Sequence, residues 1–95
     1  MTKTENEIFQ QINRFKIKLA FYNLIKLAAN DNLVNLVKDI PYKSERVCSK
    51  GFWRELSSGE RKMAGICIAH MVKHKVLNLI EVEGVHEYPK LYKLK

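Results

Sequence analysis

The first third of the chain carries apolar residues at three- and four-residue steps. The series is Ile8, Ile12, Phe15, Leu19 and Tyr22. Further apolar positions widen the stripe toward its end, namely Ile17, Phe21, Leu24, Ile25 and Leu27. In an α-helix this spacing gives one apolar face, and Thr4 with Glu7 has the spacing of a capping box. The pattern predicts a long helix over residues 4–29, with enough apolar surface to contact a second copy of the chain.

A second, shorter apolar group follows and predicts a short helix over residues 33–39. It comes after "NDN" (30–32), which combines a helix stop with a new N-cap. It ends before Pro41, because the proline ring disfavours the helical conformation at Ile40.

The polar stretch "PYKSERVCSKG" (41–51) leaves two interpretations open. It forms either a short strand around residues 46–48 or no regular structure. The next residues, "GFWREL" (51–56), predict a short helix. Its inward-pointing side chains are Phe52, Trp53 and Leu56.

The last two elements are predicted by a cap and by a change of period. Ser57 and Glu60 form a second capping box, and the helix that it opens is expected over residues 58–74. Branched and aromatic residues at 79–83 and 90–95 then predict two strands of a hairpin. Gly84 and Pro89 lie in the connection. The sequence therefore predicts one α+β domain over residues 1–95, mainly α with a C-terminal β-hairpin.

The charge indicates the kind of partner. Seventeen Lys and Arg against ten Asp and Glu give a net charge of +7. Eleven of the 17 basic residues and six of the 10 acidic residues follow residue 40, so the excess lies mainly in the second half. A polyanion is the first partner to consider for such a surface. The absence of a secretory signal and of a long apolar run predicts a cytoplasmic protein with reduced thiols and no membrane contact.

Residues 51–95 have the element order of a known family. "GFWREL", the turn "SSG", the helix from Glu60 and the final hairpin together resemble the winged-helix, or winged helix-turn-helix, DNA-binding family, with the long N-terminal helix completing the core. The turn 56–61 is also similar to a Leu-Ser-x-Gly-x-Arg turn in small phage and mobile-element proteins. The resemblance implies duplex DNA as partner, with the second helix in the major groove and the hairpin loop on the backbone or minor groove.

A helical projection of residues 58–74 separates two faces. Ala64, Cys67, Ile68, Met71 and Val72 are predicted to face the core. The opposite, exposed face is predicted to hold Lys62, Ile66, Ala69, His70 and Lys73. Lysines there suit phosphates or guanine edges, and Ile66 or Ala69 suits a thymine methyl. The face lacks Arg, Asn and Gln, which favours backbone-led binding or a protein-binding surface. Further candidates for phosphate contact are Lys50, Arg54, Arg61, Lys75, Lys90 and Lys93.

Cys67, His70 and His74 have helical spacing that suits a metal, and Cys48 would complete a Cys₂His₂ zinc set. No short Cys knuckle supports it, and buried cysteine explains the same residues as core. We therefore expect no metal and no other cofactor. Neither a triad, nor a phosphate-binding glycine loop, nor a close carboxylate pair is visible, so we expect no enzyme activity.

Two functions remain as hypotheses. The first is a small DNA-binding protein, acting as a transcriptional regulator or as a recombination or replication accessory factor of a phage or mobile element. It would be a homodimer through the N-terminal helix. The alternative is a protein-interaction module that inhibits a host nucleic-acid machine. The sequence does not separate DNA from RNA as partner.

Overall fold

The computed structural model describes residues 8–12, 14–82 and 90–95. In chain order the elements are β1 (Phe9–Ile12), β2 (Phe15–Lys18), α1 (Leu19–Asn32), a 3₁₀ turn (Leu33–Asn35), α2 (Ser44–Cys48), α3 (Lys50–Arg54), α4 (Ser58–Lys73), β3 (Leu79–Glu81) and β4 (Tyr92–Leu94). The α+β class is confirmed, with two small antiparallel sheets.

The predicted long helix over residues 4–29 is wrong in its first half, which forms the β1–β2 hairpin instead. Ile12 pairs with Phe15, and Ile12 and Ile17 are buried in the core. The segment "FKIK" alternates apolar and polar residues, the period of a half-buried strand. The same isoleucine and phenylalanine positions therefore satisfy a helical spacing and a hairpin. The proposed cap, Thr4 with Glu7, lies outside the described residues.

Helix α1 confirms the second half of the long helix predicted over residues 4–29. It begins at Leu19, buries Tyr22, Ile25 and Ala29 in the core, and packs against both α2 and α4. Its N-cap residue, Lys18, makes no side-chain hydrogen bond to the first turn.

The predicted helix over residues 33–39 is reduced to the 3₁₀ turn. Asn32 ends α1 by donating from its side chain to the carbonyl oxygens of Arg46 (2.8 Å) and Val47 (3.1 Å). Asp39 then adopts a positive φ of 69°, which reverses the chain. These tertiary bonds, absent from any local pattern, stop the helix.

The stretch after Pro41 combines a single β-bridge with a helix. Tyr42 exchanges two backbone hydrogen bonds with Tyr92, at 2.7 and 2.8 Å. Residues 46–48 lie in α2 and form no strand, and Val47 and Cys48 are buried there. Since β4 also pairs with β3, β4 lies between β3 and residue 42.

The capped helix and the C-terminal hairpin are confirmed. Ser57 Oγ accepts from the Glu60 N–H at 3.2 Å, and Glu60 Oε1 accepts from the Ser57 N–H at 2.8 Å. Helix α4 ends at Lys73, one residue earlier than predicted. Tyr92 is buried, and its strand β4 pairs with β3 in antiparallel register. Residues 83–89, which include Gly84 and Pro89, lie outside the described residues.

One core joins α1, α4 and the C-terminal strands. Its largest fully buried side chains are Ile25, Ile68, Met71, Leu77 and Leu79. In the described ranges, no helix has the length and apolar character needed to cross a membrane.

Candidate functional site: a basic groove over helix α4

The predicted exposed face of α4 is half-buried in its middle. Between residues 63 and 72, no side chain of α4 is fully exposed, and Ile66, Ala69 and His70 are all half-buried. Lys62 and Lys73, at the two ends of the face, are exposed. The expectation of an open face was wrong because the β1–β2 hairpin lies beside α4 and covers part of it.

The remaining space along α4 is a groove with two lobes. The hairpin lobe, of about 770 Å³, lies between Gln11 and Ile12 of β1 and Leu79 and Ile80 of β3. The second lobe, of about 640 Å³, is called the tryptophan lobe. It is lined by Phe15, Lys43, Trp53, Arg61, Lys62 and Gly65, among others. The two lobes share Ile66, Ala69, Lys90 and Tyr92.

The groove is strongly basic. Among the described residues, two acidic ones line it, Glu45 and Glu81, against seven basic ones. The basic residues are Lys43, Arg61, Lys62, Lys73, Lys75, Lys90 and Lys95. Lys90 Nζ lies 3.4 Å from Glu81 Oε1, with both side chains close to half exposed. Such a pair is weak in water, so it leaves the positive potential of the groove largely intact.

Most of the predicted site residues line this groove, and three do not. Lys62, Ile66, Ala69, His70, Lys73, Lys75, Lys90 and Arg61 are all found there. Lys50 and Arg54 lie instead around a shallower depression that also includes Glu45, Trp53 and Arg61. Lys93 lies on β4 beside Tyr92 but does not line the groove.

Two backbone carbonyl oxygens hold the guanidinium group of Arg61 in place. Its Nε donates to the carbonyl oxygen of Trp53 at 3.1 Å, and its Nη2 donates to that of Arg54 at 3.3 Å. Both carbonyls lie at the end of α3, and that of Trp53 also accepts from the Leu56 N–H at 3.1 Å. Arg61 therefore joins α3 to α4 across the turn, a role that its sequence position did not reveal.

His70 is tied to the core by Tyr22. Tyr22 Oη and His70 Nδ1 form a hydrogen bond of 3.0 Å. The His74 ring lies tilted beside the His70 ring, with 4.3 Å between the two centroids. Burial lowers the pKa of His70, and the charges of His74 and Lys73 lower it further. Burial also raises the pKa of Tyr22, as does the neighbouring Cys67. His70 is therefore a neutral hydrogen-bonding group near pH 7.

The four residues considered for zinc are not arranged as a metal site. Burial raises the pKa of both Cys48 and Cys67 to about 12, and Cys67 adds to the effect on Cys48. Both are free thiols in the core, whereas zinc binds the thiolate. Across residues 8–12, 14–82 and 90–95, no three His, Cys, Asp or Glu side chains converge for a metal.

Sequence reasoning missed the groove residues contributed by the N-terminal hairpin. Phe15 lines the tryptophan lobe, and Lys62 Nζ lies 5.1 Å from its ring centroid, a cation–π contact. Gly65 was also not predicted as a site residue. The alternation in "FKIK" was the one local signal of a strand here.

Comparisons with protein-family models, with curated proteins and with solved structures gave no match. The function therefore has to be argued from the groove and its chemistry.

Proposed function

We propose that this protein binds duplex DNA, mainly through its phosphates, along the basic groove over α4. The observation that carries this proposal is the charge of the groove, which has seven basic and two acidic residues in the part of the chain that the structure describes. Phosphate contacts from Lys and Arg supply most of the affinity of sequence-independent binding. Lys62, Lys73 and Lys75 are exposed at the rim of the groove, where a DNA backbone would pass.

The arrangement of elements supports a winged helix-turn-helix. Helices α3 and α4 are joined by a short turn, and the β3–β4 hairpin follows. The Tyr42 bridge adds a third backbone segment beside β4, ahead of the helix pair in the chain. In this proposal α4 is the second helix of the pair and the β3–β4 hairpin is the wing.

The half-buried middle of α4 favours contact with the DNA backbone over the reading of bases. A helix that reads bases presents its side chains to the major groove, but Ile66, Ala69 and His70 are recessed between two hairpins. We therefore propose contact through the lysines at the rim, with weak sequence preference. Such a protein would act in the cytoplasm, as a regulator or as a recombination or replication accessory factor of a phage or mobile element.

Fluorescence anisotropy with random and genomic duplexes tests the proposal. We expect similar affinities for both, falling steeply between about 50 and 200 mM salt, with a slope near 0.9 for each neutralised phosphate. A lack of binding at the lower salt concentration contradicts the proposal.

A second function, docking on a host protein, is favoured by apolar exposure on α1 and the segment after it. Leu24, Leu27, Val34, Val37 and Ile40 are all at least 45% exposed. This is also the surface for the homodimer that the sequence predicts. A pull-down from host lysate after nuclease treatment separates the two functions, because partners held only through DNA are lost. Size-exclusion chromatography with light scattering tests the dimer.

A further inference from the structure

Gly65 has no structural reason, within the described residues, to be glycine. It lies inside the 16-residue helix α4, where glycine is the least favourable residue apart from proline. A Cβ built at this position meets no atom within 4 Å beyond its own helix and chain neighbours. No other described element therefore packs so closely against residue 65 that only glycine fits there.

Gly65 instead forms part of the wall of the tryptophan lobe. A glycine in a helix wall leaves the backbone open to close approach by a ligand. The lobe also has two half-buried aromatic side chains, Phe15 and Trp53, and four cations, Lys43, Arg61, Lys62 and Lys90. Glu45 is its one acidic lining residue in the described parts.

These features match the chemistry of an unpaired nucleotide. Aromatic side chains stack with bases of any sequence, and cations beside them hold the phosphates of the same strand. An acidic peptide would bind the cations, but it would leave the Trp53 ring without a flat partner. The volume of about 640 Å³ is in the usual range for a site that encloses a small ligand.

We propose that the tryptophan lobe receives an unstacked base of single-stranded nucleic acid, against the Gly65 backbone and beside Trp53. The proposal rests on the nucleic-acid binding put forward above, and adds a preference for unpaired nucleotides.

Trp53 makes the test direct, because it is the single tryptophan of the chain. Three probes are compared by anisotropy and by Trp53 fluorescence: an oligothymidylate of about 15 nucleotides, an abasic oligonucleotide of equal length and charge, and a blunt duplex. We expect oligothymidylate to quench Trp53 and to bind about tenfold more tightly than the abasic strand, which corresponds to one stacked base.

Gly65→Ala should block close approach of a base to the backbone at residue 65 without harming the fold. The melting temperature should stay the same or rise by a few degrees, because alanine favours the helix. The variant should lose the quenching and bind oligothymidylate no better than the abasic strand. Gly51→Ala is the matched control, since Gly51 is exposed on α3, also has open space at its Cβ and does not line the groove. It should bind as the parent does.

The outcomes separate this inference from the proposed function. If the parent binds the blunt duplex but binds oligothymidylate and the abasic strand equally, the inference is overturned and duplex binding stands. If no probe binds at low salt, both fail. A polyglutamate of equal charge that quenches Trp53 as strongly, and loses this with Gly65→Ala, would assign the lobe to acidic peptides and also overturn the inference.

Discussion

Helices α1 and α4 pack against each other but present different outer surfaces. Helix α4 has a capping box, charged residues at both ends and a half-buried middle that faces the basic groove. Helix α1 has no capping side chain and two charged residues, Lys26 and Asp31, and it exposes Leu24 and Leu27. Two helices of one core therefore present chemically different surfaces; under the functions proposed above, α4 would meet a polyanion and α1 an apolar protein surface.

The largest expected effect tests which helix surface is covered. Ile68→Ala, at a fully buried position of α4, should lower the free energy of unfolding by about 2–5 kcal/mol through lost burial and a cavity. Leu27→Ala, where the side chain is 60% exposed on α1, should change it by less than about 0.5 kcal/mol. Urea titration followed by circular dichroism measures both. If Leu27→Ala instead lowers the free energy of unfolding strongly, and by an amount that depends on protein concentration, a second copy of the chain covers α1.

The next effect concerns the charge of the groove. Replacing Lys62, Lys73 and Lys90 together by Gln should lower duplex affinity by about a hundredfold at low salt and reduce the salt slope by about 2.7. A triple variant of Lys16, Lys18 and Lys38, all exposed and outside the groove, removes the same charge. This control variant should keep the salt slope of duplex binding that the parent shows. Equal losses in the two variants would show that net charge, and not the groove, determines binding.

The two helix starts give a smaller contrast. Ser57→Ala should destabilise the protein by about 1 kcal/mol, because the capping box of α4 is lost. Lys18→Ser, at the uncapped start of α1, should stabilise it by about 0.5 kcal/mol. The midpoints of urea unfolding give both changes. Destabilisation by Lys18→Ser would indicate that the lysine side chain supports the β1–β2 hairpin.

The capping box also gives a pH dependence of known sign. Its hydrogen bonds to Ser57 lower the pKa of Glu60 below the ordinary 4.5. The contribution of Glu60 is therefore fully present above pH 4.5 and is lost as the pH falls through the lowered pKa. The difference in melting temperature between the parent and Glu60→Gln should shrink over this acidic range. A constant difference from pH 7 to pH 2 would contradict the ionised cap.

The smallest effect concerns the link between the helices at Tyr22 and His70. Because the folded pKa of His70 lies below 6.5, its contribution to stability is present above pH 6.5 and is lost as the pH falls through the lowered pKa. His70→Gln should flatten the dependence of melting temperature on pH between 7 and 5. An unchanged slope would assign the dependence to another group.

Local signals predicted the elements whose stability is local. The Ser57–Glu60 cap and the change to a two-residue period were enough for α4 and for the β3–β4 hairpin. The start of the chain was predicted wrongly because Ile12 and Phe15 fit one face of a helix and also face each other as a hairpin pair. The pairing of β1 with β2 in the folded protein selects the hairpin over the helix.

The site was predicted in its charges and not in its shape. Lys62, Lys73, Lys75 and Lys90 could be assigned to one surface from the helix period and the hairpin. The groove itself exists because the β1–β2 hairpin lies beside α4, and no pattern in residues 58–74 reports that neighbour. The link that Arg61 makes between α3 and α4 was not predicted either. Its partners are backbone carbonyls, which every residue type provides, so no sequence pattern indicates them.

The bridge between Tyr42 and Tyr92 also has a consequence for the order of folding. The two residues are far apart in the sequence, and closing so long a loop carries an entropic cost that local contacts do not have. Helix α4 and the turn before it can form early, whereas β4 takes its central position only when most of the chain is already in place. The Tyr92 amide, which donates to Tyr42, should therefore be among the last to gain protection from hydrogen exchange during refolding.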